Sequence, residues 1–203
     1  MDTCWQCGTH PGESLFCKLC NALQRPTPDY YRFFGLPKRL SLDPAELQRR
    51  FYEMSRILHP DRFLRRAPTE QRYSLEASSI LNDGYRVLRD PVSRAEYILK
   101  EAGFDIGEQR SKNVPPELLE EVFELNMALE ELRHGDDSVR ARLEEARRQF
   151  LGMRGEIDAQ LQRLFEKYDA TQDKSVLVEI RDLLNRRTYI RNLITEVDKE
   201  LGL

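Results

Sequence analysis

The chain is 203 residues long and one third charged, yet its 35 acidic residues oppose 32 basic ones and leave a formal net charge of only −3. That balance speaks against a nucleic-acid binder, whose phosphate contacts need a net basic surface, and no apolar run approaches the eighteen or more residues of a membrane span. The three histidines are scattered, and no glycine-rich phosphate loop, serine elbow or metalloprotease helix is present, so no catalytic constellation is visible and the chain reads as a non-enzyme.

All four cysteines lie in the first two dozen residues as two C-x2-C pairs, Cys4/Cys7 and Cys17/Cys20. Paired knuckles of this spacing bring four thiolates to one tetrahedral ion, the pattern of a structural zinc site with no position left for a catalytic water. Spacing alone also admits a single iron. His10 is an alternative ligand, although with four cysteines present it reads as a loop residue. Thiol–disulfide exchange is the enzyme alternative, but a thioredoxin-type pair opens a helix after a strand, and no strand pattern precedes these pairs. The bulky apolar residues here are Trp5, Leu15, Phe16 and Leu19, too few for a core. An ion would supply on the order of 10 kcal/mol or more to such a module. With Cys4 only three residues after Met1 no targeting segment is expected ahead of it, so a reducing, bacterial-type cytoplasm is the expected setting and a processed organellar chain the alternative.

An aromatic run, Tyr30, Tyr31, Phe33, Phe34 and Leu36, follows and ends at Gly35 to Pro37; it predicts a short brace across the next two helices. The first of these starts at Asp43, a cap, with Pro44 at the first helical position and Glu46 placed to close a capping box. Leu47, Phe51, Met54 and Leu58 recur at four, three and four residues and form its inward stripe. The helix stops at His59-Pro60-Asp61, because proline disfavours helical geometry in the residue before it and has no N–H to donate. Around this corner Arg49, Arg50, Arg56, Arg62, Arg65 and Arg66 outnumber Glu46, Glu53 and Asp61, so the local surface is positive. A solvated helix face and a docking surface both satisfy that pattern.

A second helix is predicted over Thr69 to Leu88, with Leu75, Ser78 or Ser79, Asn82, Tyr85 and Leu88 inward and Ala77, Ile80, Leu81 and Val87 alongside. Asp90-Pro91 restarts a short helix that ends at Gly103. A polar linker then leads to Pro115-Pro116 and three further helices. Leu118, Val122, Leu125, Leu129 and Leu132 form the first stripe, ending at Gly135. The second, capped by Asp136-Asp137-Ser138, carries Val139, Leu143, Ala146, Phe150, Ile157, Leu161, Leu164 and Tyr168. The third carries Val176, Ile180, Leu183, Ile190, Ile194, Val197 and Leu201. Gly152 and Gly155 in the middle helix mark either a kink or a close approach. The first helix also bears a second row, Leu119, Phe123 and Met127, among acidic residues with no basic one before Arg133. This is either a wide buried face or a protein-binding strip.

The stretch Asp29 to Pro37, the helix Leu47 to Leu58, the His59-Pro60-Asp61 loop and Asn82 to Pro91 together resemble a J-domain. Phe34-Gly35-Leu36-Pro37, Leu42-Asp43, His59-Pro60-Asp61-Arg62-Phe63, Arg94 to Leu99 with Gly103-Phe104-Asp105, and a helical tail of matching length are similar, more narrowly, to the HscB family of iron-sulfur cluster co-chaperones. Cys4-Trp5-x-Cys7-Gly8 and Phe16-Cys17-x2-Cys20 resemble the amino-terminal extension of its metal-bearing members. The resemblance implies an all-α protein with a tetracysteine module at 1–27, a J-domain at 28–104, a linker at 105–114 and a three-helix scaffold-binding bundle at 115–203.

It further implies that His59, Pro60 and Asp61, with Arg50 and Arg56, contact a DnaK-type (HscA-like) chaperone and stimulate its ATPase. Leu119, Phe123, Glu124 and Met127, with Tyr189 expected to be exposed because it lies off its helix's stripe, would then hold an IscU-type scaffold. The alternative function is a J-domain co-chaperone for a different client, read by the zinc module. A homodimer joined through that module is compatible with the same sequence.

Overall fold

The computed structural model describes residues 3–12, 14–105 and 116–203, and among these the chain forms seven helices and one isolated bridge between Phe16 and Leu23. It divides into two compact units, Met1–Arg94 and Ala95–Leu203. The fold is all-α.

In the first unit, α1 (Tyr30–Phe34) is capped by the Asp29 carboxylate, which accepts from the Arg32 N–H at 3.0 Å, and closed by Gly35 in the left-handed region at φ 63°. It buries Tyr31, Phe33 and Phe34. Helix α2 (Pro44–Leu58) begins where the Asp43 carboxylate accepts from the Ala45 N–H at 2.9 Å, and its interior face is Leu47, Met54 and Leu58. Phe51 completes the stripe half-buried, its ring stacked on Tyr85 at 4.2 Å. Glu46 differs from the expected capping box: Arg50 donates to its Oε1 from Nε (3.1 Å) and Nη2 (2.6 Å), so the carboxylate looks along the helix and not back to the cap.

Helix α3 (Pro68–Arg89) runs antiparallel to α2, but its register departs from the expected one. The inward face is Glu70, Ser74, Ala77, Leu81, Gly84 and Leu88, while Leu75 is 61% exposed and Asn82 also faces solvent. Small and polar residues won this face for two reasons. The Ser74 hydroxyl donates at 2.7 Å to the carbonyl of Leu58, one of the acceptors left over where α2 ends. At Gly84 a Cβ would lie 2.9 Å from Tyr30 Cδ1 and 3.0 Å from Phe34 Cε2, so only glycine lets α1 come this close. Arg94, buried in α4 (Pro91–Glu101), donates to the Leu40 carbonyl at 2.7 Å and the Leu88 carbonyl at 2.5 Å and ties the end of α3 to the segment before α2.

The predicted linker lies, from residue 106 onward, outside the described residues, as does Pro115. In the second unit α5 (Leu119–Arg133) packs on a long antiparallel hairpin of α6 (Arg140–Thr171) and α7 (Lys174–Leu201). At 1.5 Å per residue α6 is about 48 Å long and α5 about 22 Å, so α5 spans only about half of the hairpin's length. Leu143, Phe150, Ile157, Leu161 and Phe165 of α6 face Val176, Ile180, Leu184, Ile190 and Val197 of α7 as the buried seam. Phe165 and Leu184 replace the expected Leu164 and Leu183, which are only half-buried. The small drift is that of 3.6 residues per turn against a fixed seven-residue repeat. Gly152 and Gly155 lie within continuous helix, and a Cβ on either would meet nothing within 4 Å, so neither marks a close approach.

Two aspartates set the helix starts of this unit. The Ser175 backbone N–H, then its hydroxyl, hold the Asp173 carboxyl below its ordinary 3.8, and the Ser138 hydroxyl and N–H do the same for Asp136. A depressed folded-state value stabilises the fold above the ordinary pKa and loses that contribution as pH falls through the lowered one. Thermal melts of the full chain between about pH 5 and pH 2 should therefore show Tm falling with acid. Asp173→Asn keeps an acceptor without a proton to gain, so its melting curve should flatten over that range.

Candidate functional site

The two cysteine knuckles are built alike. After Cys4 the Gly8 N–H returns to the Cys4 carbonyl at 2.9 Å, and after Cys17 the Asn21 N–H returns to the Cys17 carbonyl at 2.8 Å; Gly8 and Asn21 both take positive φ, 72° and 56°. Each turn thereby aims backbone N–H groups and two thiols at one point. All four sulfurs lie within 4.8 Å of one another, with Cys4 to Cys20 at 3.6 Å and Cys7 to Cys17 at 3.7 Å. A tetrahedron of sulfurs about 2.3 Å from a central zinc has an edge of about 3.8 Å, so the donor set fits such an ion. His10 stands apart, its Nδ1 accepting from the Gly12 N–H.

The thiols are driven apart in acidity. The N–H groups of Cys20 and Leu19 hold Cys17 down to about 6. At Cys20 the Ala22 N–H acts in the same direction, but burial and the surrounding sulfurs push the thiol up to about 12. Cys4 is lowered: burial opposes its ionisation, and the N–H groups of Cys7 and Gln6 overcome it. Four crowded sulfurs do not ionise together without a central cation, and a bound divalent ion removes that conflict.

At the other end of the unit His59 caps α2 with φ −57°, ψ 129°, and Pro60–Phe63 form a single 3₁₀ turn. The Asp61 N–H donates to His59 Nδ1 at 3.3 Å, Phe63 is buried as the anchor, and the Gln71 side-chain amide donates to the carbonyls of Leu64 and Arg66. The loop is thus pinned at both ends while the His59 and Asp61 side chains are 59% and 79% exposed.

The arginines separate into two groups. Arg49, Arg56, Arg62, Arg65 and Arg66 are exposed. Arg50 is committed inward: besides Glu46, its Nη1 donates to the carbonyls of Phe34 (2.8 Å) and Gly35 (2.6 Å), the free end of α1. It is a brace between α1 and α2, with its side chain still 30% exposed. At 100° per residue Arg49 and Arg56 lie about 20° apart, whereas Arg50 and Arg56 lie about 120° apart. Arg49, seven residues before Arg56, therefore shares its exposed face.

On α5 the second row stands in solvent, Leu119 at 56%, Phe123 at 65% and Met127 at 46% exposed, with Glu120 and Glu124 exposed among them. Behind this row Val122, Leu125, Ala128 and Leu129 form the buried face. Tyr189 of α7 does not join the exposed set. It is only 9% exposed, and burial, with the Glu196 charge, raises its phenol above the usual value. Its offset from the Leu183 stripe suggested exposure, but the buried face of α7 is centred on Leu184, Ile190 and Leu193, wide enough to take the ring in.

The family model described as "HSCB C-terminal oligomerisation domain" matches residues 114–198. The iron-sulfur cluster co-chaperone protein HscB of Homo sapiens is 32% identical over 194 residues, spanning 93% of this chain and 80% of that protein. A co-chaperone protein HscB homolog of Shewanella loihica is 30% identical over 171 residues, spanning 84% and 96%. The chain belongs to the HscB family. Its fold agrees: the crystal structure of human co-chaperone protein HscB superposes with a TM-score of 0.70 at 28% identity over the whole of both chains. Chaperone HscB from Vibrio cholerae gives 0.60 at 27% identity, covering 85% of this chain and 97% of its own.

Within this HscB-family chain the inward arginine and the outward ones should separate experimentally. Arg50→Met is expected to lower stability by about 1–3 kcal/mol in urea denaturation, since it strands the carbonyls at the end of α1. Arg56→Met should leave the same curve within about 0.5 kcal/mol of the parent.

Proposed function

We propose that this chain is a co-chaperone of iron-sulfur cluster assembly that joins two partners: a DnaK-type, HscA-like ATPase at the His59-Pro60-Asp61 corner and an IscU-type scaffold on α5. The observation that carries the reading is the corner itself, a rigid turn whose anchor faces inward and whose His59 and Asp61 side chains face solvent. Membership of the HscB family supports both partners.

On the ATPase side, the chain supplies a shaped and charged surface and no reacting group. Arg49 and Arg56 from α2, Arg62 within the turn and Arg65 and Arg66 beyond it present positive charge, opposed locally by Glu53 at 3.9 Å from Arg49 and by Asp61. Such a surface steers an acidic partner and fixes orientation. Stimulation requires that the corner bind the hydrolysing conformation of the ATPase better than the resting one. On the scaffold side, Leu119, Phe123 and Met127 offer apolar anchors, each worth roughly 1.5–3 kcal/mol if fully buried, before the costs of association. Glu124 at their border supplies directional polar contact. Holding the scaffold and the ATPase on one chain raises the effective concentration of one for the other. The four-cysteine module we assign to structural zinc.

Steady-state ATP hydrolysis by the cognate chaperone, with scaffold present, tests the first half. His59→Gln should abolish most of the stimulation with no change in melting temperature, and equal stimulation by parent and variant would remove the proposal. For the second half, Phe123→Ala is expected to weaken scaffold binding in a calorimetric titration by about 2 kcal/mol, roughly thirtyfold. Scaffold binding lost only when Cys4 and Cys7 are replaced would instead make the metal module the client reader.

A further inference from the structure

Glu70 is a carboxylate that none of these roles uses. It sits in the first turn of α3, is 5% exposed, and accepts the backbone N–H of Leu23 at 3.1 Å across 47 residues of sequence. Ala67 caps that helix without a side-chain hydrogen bond, and Glu70 is the acidic residue of its first turn, where a negative charge answers the positive end of the helix. A carboxylate this buried needs a hydrogen-bond donor to offset its desolvation. Its donor comes from the cysteine module.

Leu23 is the joint of that module. Its side chain is fully buried, and its carbonyl accepts the Trp5 indole N–H at 2.8 Å, from between Cys4 and Cys7. On one side, the Ala22 carbonyl accepts the Cys17 N–H at 2.9 Å. On the other, buried Gln24 extends its side-chain amide to the Ala22 carbonyl at 2.7 Å and to Cys4 Sγ at 3.3 Å. Both knuckles therefore hold the 22–24 segment, and that segment holds Glu70. The isolated bridge between Phe16 and Leu23 closes the second knuckle on itself and does not reach the first, so among the described residues the backbone alone does not keep the two turns in register without a central ion.

We infer that Glu70, outside the cysteine module, is a positioning residue for the metal centre, and that ion binding in turn fixes the first turn of α3. This rests on the metal-site reading and goes beyond it. Binding linkage makes the effect reciprocal: whatever factor the ion adds to the Leu23–Glu70 contact, the contact adds to ion affinity.

Cobalt(II) is the probe, titrated into the metal-free full chain against a chelator while thiolate-to-cobalt absorption is read. Glu70→Ala should lower apparent cobalt affinity about fivefold or more, with band positions unchanged because the four sulfurs are untouched. Glu70→Gln, which keeps an acceptor for the Leu23 N–H, should lose less. In the parent chain, removing the ion should speed amide exchange at Arg72 to Ser74 and leave α2, α6 and α7 unaltered; unaltered exchange in α2 of the variants also certifies that their first unit is folded. Equal cobalt affinity in the parent and both variants, or α3 exchange indifferent to the ion, overturns the inference. Absence of thiolate-to-cobalt bands in the parent overturns the metal centre itself, an outcome distinct from bands that ignore Glu70.

Discussion

A helix that stops in the interior of a domain leaves carbonyls that must find donors, and the carbonyl of Leu58 is the one on which the first unit turns. Proline at position 60 ends α2 there. The Ser74 hydroxyl, with Ser78 at 3.4 Å, supplies donors from α3. That choice sets the rotation of α3 about its own axis, which in turn puts Gly84 under α1 and Glu70 under the cysteine module. The proline that exposes the docking corner and the serine that supports it are thus parts of one solution to an unsatisfied acceptor.

The start and stop of α2 were legible because they are written in backbone chemistry: an aspartate cap, a proline at the first position and a proline after the last. The register of α3 was not, because Glu70, Ser74 and Gly84 share its inward face with Ala77, Leu81 and Leu88, and apolar periodicity does not register them. Leu75 drew that search to the wrong face. The inward bonds of Arg50 were hidden for a related reason. Its charge reads as surface, while its five donors fit the free carbonyls at the end of α1. On α7, Tyr189 lies beside the apolar stripe on a helix whose buried face is broader than a narrow seam. The cysteine spacing and the second row on α5 could be read directly, since each depends on a local repeat.

The two ends of the chain solve the problem of small size differently. The amino-terminal module has almost no apolar interior, with Leu19 and Trp5 reaching solvent, and depends on its sulfurs and on the body of α3. The carboxy-terminal unit depends on length. Its α6–α7 hairpin is tied along its flank by Arg187 to Asp158, Lys167 to Glu179 and Arg147 to Asp198, while α5 is joined near its end by Arg133 to Glu200 at 2.7 Å and Arg142 to Glu131 at 3.0 Å. These pairs are largely exposed and individually weak, so they set helix pairing and register more than stability. Among the described residues of this unit α5 packs on the hairpin from one side, and its opposite face carries the exposed Leu119, Phe123 and Met127.

The bond from the Asp61 amide to the His59 ring has a chemical consequence. A neutral imidazole that accepts at Nδ1 must carry its hydrogen on Nε2. In the neutral ring the bond to the amide leaves the hydrogen on the far nitrogen, while a protonated ring would turn Nδ1–H to the Asp61 carboxylate at 3.5 Å and still offer a hydrogen there. Whatever meets this tip is asked for an acceptor oxygen, and a side chain unable to close the same bond to residue 61 would show its visitor a different face even at equal size and polarity.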